Sequence, residues 1–60
     1  MNMYKYIATF DTGTDFTCVE YSSEHRNGSK ANAADARHEA RRKHGRAAAC
    51  WRLTHTEHYE

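Results

Sequence analysis

Five histidines and two cysteines are the side chains of this chain best equipped for chemistry, and their spacing decides what they can do together. His55 and His58 stand three apart. On a helix that spacing puts two imidazoles on one face; on a strand it puts them on opposite faces. The segment around them is threonine-rich and reads as a strand running into a tail, so the pair does not converge. His38 and His44 are six apart, which misaligns them on a helix. Cys18 and Cys50 are 32 apart, no Cys-x-x-Cys occurs, and neither joins a histidine at a zinc spacing. No metal and no cofactor are expected. Acyl-transfer, metalloprotease, phosphate-loop and dinucleotide fingerprints are all missing from the sequence. Both cysteines fall on expected strands among apolar neighbours, where a thiol behaves as a small buried hydrophobe. A two-layer domain of 60 residues also leaves little room for the concave pocket that catalysis needs. The expectation is no catalytic residue, and a protein that binds.

The elements that must present a binding surface are short of core. Of 23 apolar residues nine are alanine, and Leu, Ile, Val and Phe together number five. A net charge of +1 removes the repulsion that would turn this composition toward disorder. One small domain spanning 1–60 is expected, with aromatic rings supplying most of the buried area. Residues 3–10 (MYKYIATF) alternate as a strand does, 11–15 form a polar loop around Gly13, and 15–21 (DFTCVEY) read as the returning strand. A hairpin turning on Gly13 sets Phe10 against Phe16, Ala8 against Cys18 and Tyr6 against Glu20 as the core face. Lys5, Ile7, Thr9, Thr17, Val19 and Tyr21 then fall on the other side.

After a polar loop over 22–28, a helix is expected to His44, capped by either Ser29 or Asn32. Ala33, Ala36 and Ala40, helped by Ala47, form its apolar stripe. Glu39 pairs with Lys43, and Gly45 follows a last turn of cations. Residues 47–56 read as a third strand with Ala49, Trp51 and Leu53 inward, and the tail from about residue 57 as flexible. The fold class is therefore α+β: a two-layer β-β-α-β domain with a three-stranded antiparallel sheet in order 2-1-3 and one helix on one face. The uncovered face, carrying Ile7, Val19 and Tyr21 beside Lys5 and Arg52, is a candidate contact surface.

The charge is polarised. Residues 1–28 carry net −2, residues 29–60 carry +3, and between Arg37 and Arg52 six cations face Glu39 alone. That pattern suits an acidic protein patch at least as well as a phosphate backbone. Two partner-binding sets follow, and the sequence does not choose between them. One is acidic (Asp11, Asp15, Glu20, Glu24) and the other basic (Arg37, Arg41, Arg42, Arg46), with Tyr21 and Arg52 added as typical interface anchors. No run approaches the roughly 18 apolar residues of a membrane span, and the N-terminus lacks the apolar stretch of a secretory signal. The expected partner is not a membrane, and the expected address is cytoplasmic.

Gly28-Ser29-Lys30 followed by Ala33, Ala34 and Ala36 resembles the last helix of double-stranded RNA-binding domains over residues 27–40, with Lys30 at the family's basic entry position. That resemblance implies direct RNA or DNA binding through the basic helix 37–46. As a whole, the size, compact β-β-α-β order and charged surface are similar to the small phage-encoded anti-CRISPR proteins. This second resemblance implies a non-enzymatic inhibitor in the cytoplasm of a bacterial host, a monomer or weak homodimer. It would block a nucleic-acid-handling effector complex by steric and electrostatic occlusion.

Overall fold

The computed structural model describes residues 2–59. Strands β1 (Tyr4–Asp11) and β2 (Phe16–Ser23) form a hairpin, helix α1 (Lys30–His44) follows, a 3₁₀ segment spans Gly45–Cys50, and β3 (Arg52–His58) returns along β1. Both strand pairs are antiparallel and the sheet order is β2-β1-β3, with α1 on one face. This is the β-β-α-β architecture that the sequence implies.

The hairpin turns one position later than expected. Thr12 N–H donates to Asp15 O at 2.9 Å, which closes a two-residue loop of Gly13 and Thr14. Gly13 takes a φ of 100°, the positive value that favoured hairpin turns demand of their first loop residue. Asp11 Oδ1 accepts from Gly13 N–H at 2.9 Å and Asp15 Oδ1 from Phe16 N–H at 2.8 Å, so both carboxylates fasten the turn. The resulting register pairs Tyr6 with Tyr21, Ala8 with Val19 and Phe10 with Thr17. A one-residue slip moves every side chain of a strand to the other face. Val19 and Tyr21 are therefore buried, at 1% and 5% exposure, while Phe16, Cys18 and Glu20 face outward. The expected contact patch of Ile7, Val19 and Tyr21 does not exist as such. The slip is favourable because it removes a carboxylate from the core face and puts an aromatic ring there instead.

Ser29 is the helix cap: its hydroxyl accepts from Asn32 N–H at 3.1 Å. That releases Asn32, fully buried, to serve the core. Its side-chain carbonyl accepts from the Tyr21 hydroxyl at 2.5 Å, and its amide donates to His25 O at 3.0 Å. Tyr6 donates to the same His25 carbonyl at 3.2 Å, and the Tyr6 and Tyr21 rings stack at 5.5 Å. Beside them, Ser23, also buried, donates to Asp35 Oδ2 at 2.6 Å and accepts from His25 N–H at 3.0 Å. The 24–28 loop is thus held from within.

Ala36 and Ala40 pack α1 onto β2, with Phe10 as the one large aliphatic or aromatic side chain wholly enclosed besides Val19. Residues 47–50 do not form a strand. Gly45 (φ 72°) ends α1, and three successive alanines lack the branched or aromatic side chains that favour extended structure. They wind on as 3₁₀, whose period of three turns one alanine inward: Ala48 is buried, and Ala47 and Ala49 are exposed. Trp51 and Leu53 remain half-buried against the core as expected. A bulge at Thr54, whose hydroxyl donates to Thr9 O at 3.0 Å, shifts the register of β3. The strand then continues through Glu57 and His58, and Tyr59 N–H donates to Lys5 O at 2.8 Å, so residues 57–59 are paired with β1, and Glu60, the end of the expected tail, lies outside the described residues.

Candidate binding surface

An α-helix advances about 100° per residue. Lys30, Arg37 and Arg41 therefore lie within about 40° of one another around α1, while Asp35 and Glu39 lie more than about 100° away from them. The three cations are exposed and form one flank of the helix. Beyond Gly45 the 3₁₀ segment extends the row, because Arg41 and Arg46 border a common shallow depression with Ala49. Among the described residues Arg37, Arg41 and Arg46 make no ion pair. Four positive groups thus run along one side of the molecule, and none of them is ion-paired among the described residues.

Arg42, expected to belong to this set, does not. Its Nη2 and Nε grip the Glu39 carboxylate at 2.5 and 3.1 Å. The hydrogen bonds from Arg42 hold Glu39 below the usual carboxylate range and push the guanidinium itself up. The expected Glu39–Lys43 pair is displaced, because a planar guanidinium fork matches a carboxylate better than an ammonium does. Lys43 instead donates to Glu20 O at 3.4 Å.

The acidic set is not gathered. Asp11 is engaged by Gly13 N–H and, at 3.4 Å, by Arg52; Asp15 is engaged by Phe16 N–H. Glu20 stands alone on the open face, and Glu24 lies past the far end of β2, 3.9 Å from His25 Nε2. The molecule is 35 Å long, so the hairpin carboxylates and Glu24 occupy opposite ends of it. Arg52 is largely exposed but tied to Asp11, which removes it from the basic row.

Tyr21 cannot touch a partner, since its ring is in the core. Burial raises its hydroxyl above the ordinary value of 10.0. For an acid whose folded-state pKa is raised, the stabilisation is complete below the unfolded-state value and is lost as pH climbs through the folded one. Alkaline titration followed by tyrosinate absorbance should therefore show a component above about pH 10 that appears together with loss of circular dichroism. Tyr21→Phe should remove that component; an unchanged titration would place the Tyr21 hydroxyl in water.

Cys18 and Cys50 are both exposed, against expectation, because the register slip turns Cys18 outward and the 3₁₀ segment turns Cys50 away from the sheet. His55 pairs with Thr9 on the open face, whereas His58 pairs with Tyr6, its ring meeting Tyr6 edge-on at 5.2 Å. Among the described residues no three His, Cys, Asp or Glu side chains converge as a metal site would require. No helix among the described residues is long and apolar enough to cross a membrane. Lys30 is the member of the basic flank that charge counting overlooked; the 30-37-41 helical spacing is the signal that finds it.

Fold and surface together define a class: a small α+β domain with an open antiparallel sheet and a basic helix flank. No protein-family model matches the chain, and no curated protein or solved structure matches it either.

Proposed function

We propose that this chain is a non-catalytic binding protein that blocks a nucleic-acid-handling effector complex, docking its basic flank (Lys30, Arg37, Arg41, Arg46) on an acidic surface of that complex. One observation carries the choice of surface. Among the described residues the arginines of this flank make no ion pair, whereas the hairpin carboxylates are already used to hold the turn. The planar guanidinium fork loses less freedom per hydrogen bond to a carboxylate than an ammonium does, and arginines are common energetic centres of interfaces. They also speed encounter with an acidic partner. The choice of an effector complex as the target rests on the similarity to small anti-CRISPR proteins in size and element order. Occlusion needs only a surface, which suits a domain with so small a core.

A second reading is supported by the position of Lys30, which shares the flank with Arg37 and Arg41 and heads the stretch that resembles a double-stranded RNA-binding helix. Arg37 and Arg41 are separated by about 6 Å along the axis, close enough to bridge neighbouring phosphates. The two readings part on salt and on partner. Charge reversal of Arg37→Glu with Arg41→Glu should weaken inhibition and capture of purified CRISPR effector complexes by at least about tenfold. The control Glu24→Lys should leave both unchanged. Retained inhibition by the double variant would exclude the basic flank as the contact. A mobility shift of bare RNA or DNA at about 50 mM salt that fades steeply as salt rises would favour the second reading.

A further inference from the structure

The strand at each rim of an open sheet offers a row of unpaired N–H and C=O groups, a template for another strand. The two rims of this sheet are treated differently. The β3 rim is interrupted by the bulge at Thr54 and covered by Asn27, whose amide donates to Thr56 O at 3.4 Å while the Thr56 hydroxyl donates to the Asn27 side chain. The β2 rim has no bulge, and its cover is confined to the Lys43 ammonium at the Glu20 carbonyl. It keeps an unbroken register with β1 over eight residues and contains no proline. The Thr12–Asp15 bond that closes the hairpin sets the alternation of the ladder, so Phe16, Cys18, Glu20 and Ser22 turn their backbone groups outward. The Phe16 N–H is held by Asp15, and Lys43 reaches the Glu20 carbonyl at 3.4 Å.

The two ends of this rim complement each other. At its start the Phe16 ring projects from the open face, 63% exposed. Along its finish lies a depression of about 320 Å³, bordered by Lys5, Ser22 and Tyr59 on one side and Glu39, Arg42 and Lys43 on the other. Antiparallel pairing of two identical rims brings the start of each to the finish of the other, as a two-fold axis requires.

We infer that β2 pairs with β2 of a second copy of this chain about a two-fold axis at Val19, joining two three-stranded sheets into one of six strands. In that register Phe16 of each copy lies opposite Ser22 of the other and enters the depression beside Lys5 and Tyr59. Cys18 lies opposite Glu20. Centring the axis on Glu20 instead would set two carboxylates face to face, which repels. With the axis at Val19 the two Glu20 side chains are diagonal neighbours, farther apart than a directly opposed pair. Lys43 releases the Glu20 carbonyl to the incoming strand.

Sedimentation of the full chain over rising concentration should show a monomer–dimer equilibrium. Ser22→Pro removes an outward N–H without touching the ladder to β1 and should abolish the dimer with the circular dichroism preserved. Phe16→Ala should raise the dissociation constant by about tenfold, and it carries the test alone should Ser22→Pro fail to fold. In a Cys50→Ala background, a short bis-maleimide should join Cys18 of two copies, which this register makes diagonal neighbours roughly 7–8 Å apart. A chain that stays monomeric up to millimolar concentration overturns the inference. So does a dimer that Phe16→Ala leaves unchanged or whose Cys18 thiols cannot be joined. Arg37→Glu with Arg41→Glu should leave the dimer intact, so this result is independent of the proposed inhibition.

Discussion

Asn32→Leu should cost about 3 kcal/mol of folding stability, the sum of one buried donor or acceptor left without its partner and an imperfect fit. The substitution strips the Tyr21 hydroxyl of its acceptor and takes one of two donors from the His25 carbonyl, at a position with no access to water. A domain of 60 residues holds roughly 3–9 kcal/mol in all. The loss should therefore appear as a melting transition lowered by many degrees, or as a chain largely unfolded at room temperature. The second half of the test is a rescue. Adding Tyr21→Phe removes the stranded hydroxyl, and replacing both partners by apolar groups is far less costly than removing one. Thermal denaturation of the single and double variants measures both effects. A single variant that melts within a degree or two of the parent would show that the network contributes little.

Phe10→Ala and Phe16→Ala should differ more than any other pair of like substitutions in the chain. Phe10 is 1% exposed and touches the half-buried Trp51, with ring centres 6.1 Å apart. Truncating a buried phenylalanine costs about 3–5 kcal/mol, which approaches the whole stability available here. Few neighbours can collapse into the space, since the core is built of alanines, one valine and stacked tyrosines. Phe16 is 63% exposed, so its truncation should change the stability of the dilute chain by no more than about 0.5 kcal/mol. Equal losses for the two would mean that the hairpin pairs Phe10 with Phe16 after all. Chemical denaturation at low concentration separates the outcomes.

That contrast marks where the sequence is easy to read and where it is not. Element order follows from local signals: alternation in 3–10, the polar loop at Gly13, the cap and C-terminal glycine around an alanine-rich helix. Register does not, because placing the turn on Gly13 or between Gly13 and Thr14 satisfies the same local chemistry yet inverts β2. Only the packed structure discriminates, by the cost of enclosing Glu20 against the gain of enclosing Tyr21. Asn32 escaped notice for a related reason. As a residue type it suits a helix cap, and nothing in the linear chain shows that a tyrosine eleven positions earlier will reach it.

The candidate surface divides in the same way. An acidic first half and a basic second half are plain from the residues alone. Which charges remain free is not, because neutralisation depends on side chains brought close in space: Arg42 meets Glu39 within its own helix, but Arg52 meets Asp11 across 41 positions.

By itself, then, the sequence determined the β-β-α-β element order, the antiparallel sheet order and the uneven charge, since these rest on local backbone preference, on crossover handedness and on composition. Tertiary structure alone decided which face of β2 is core, that Tyr21 is enclosed and Cys18 is not, and that Arg42 and Arg52 are paired while, among the described residues, Lys30, Arg37, Arg41 and Arg46 are not. Each of those outcomes turns on burial and pairing between distant residues, a cost that no local segment of the chain records.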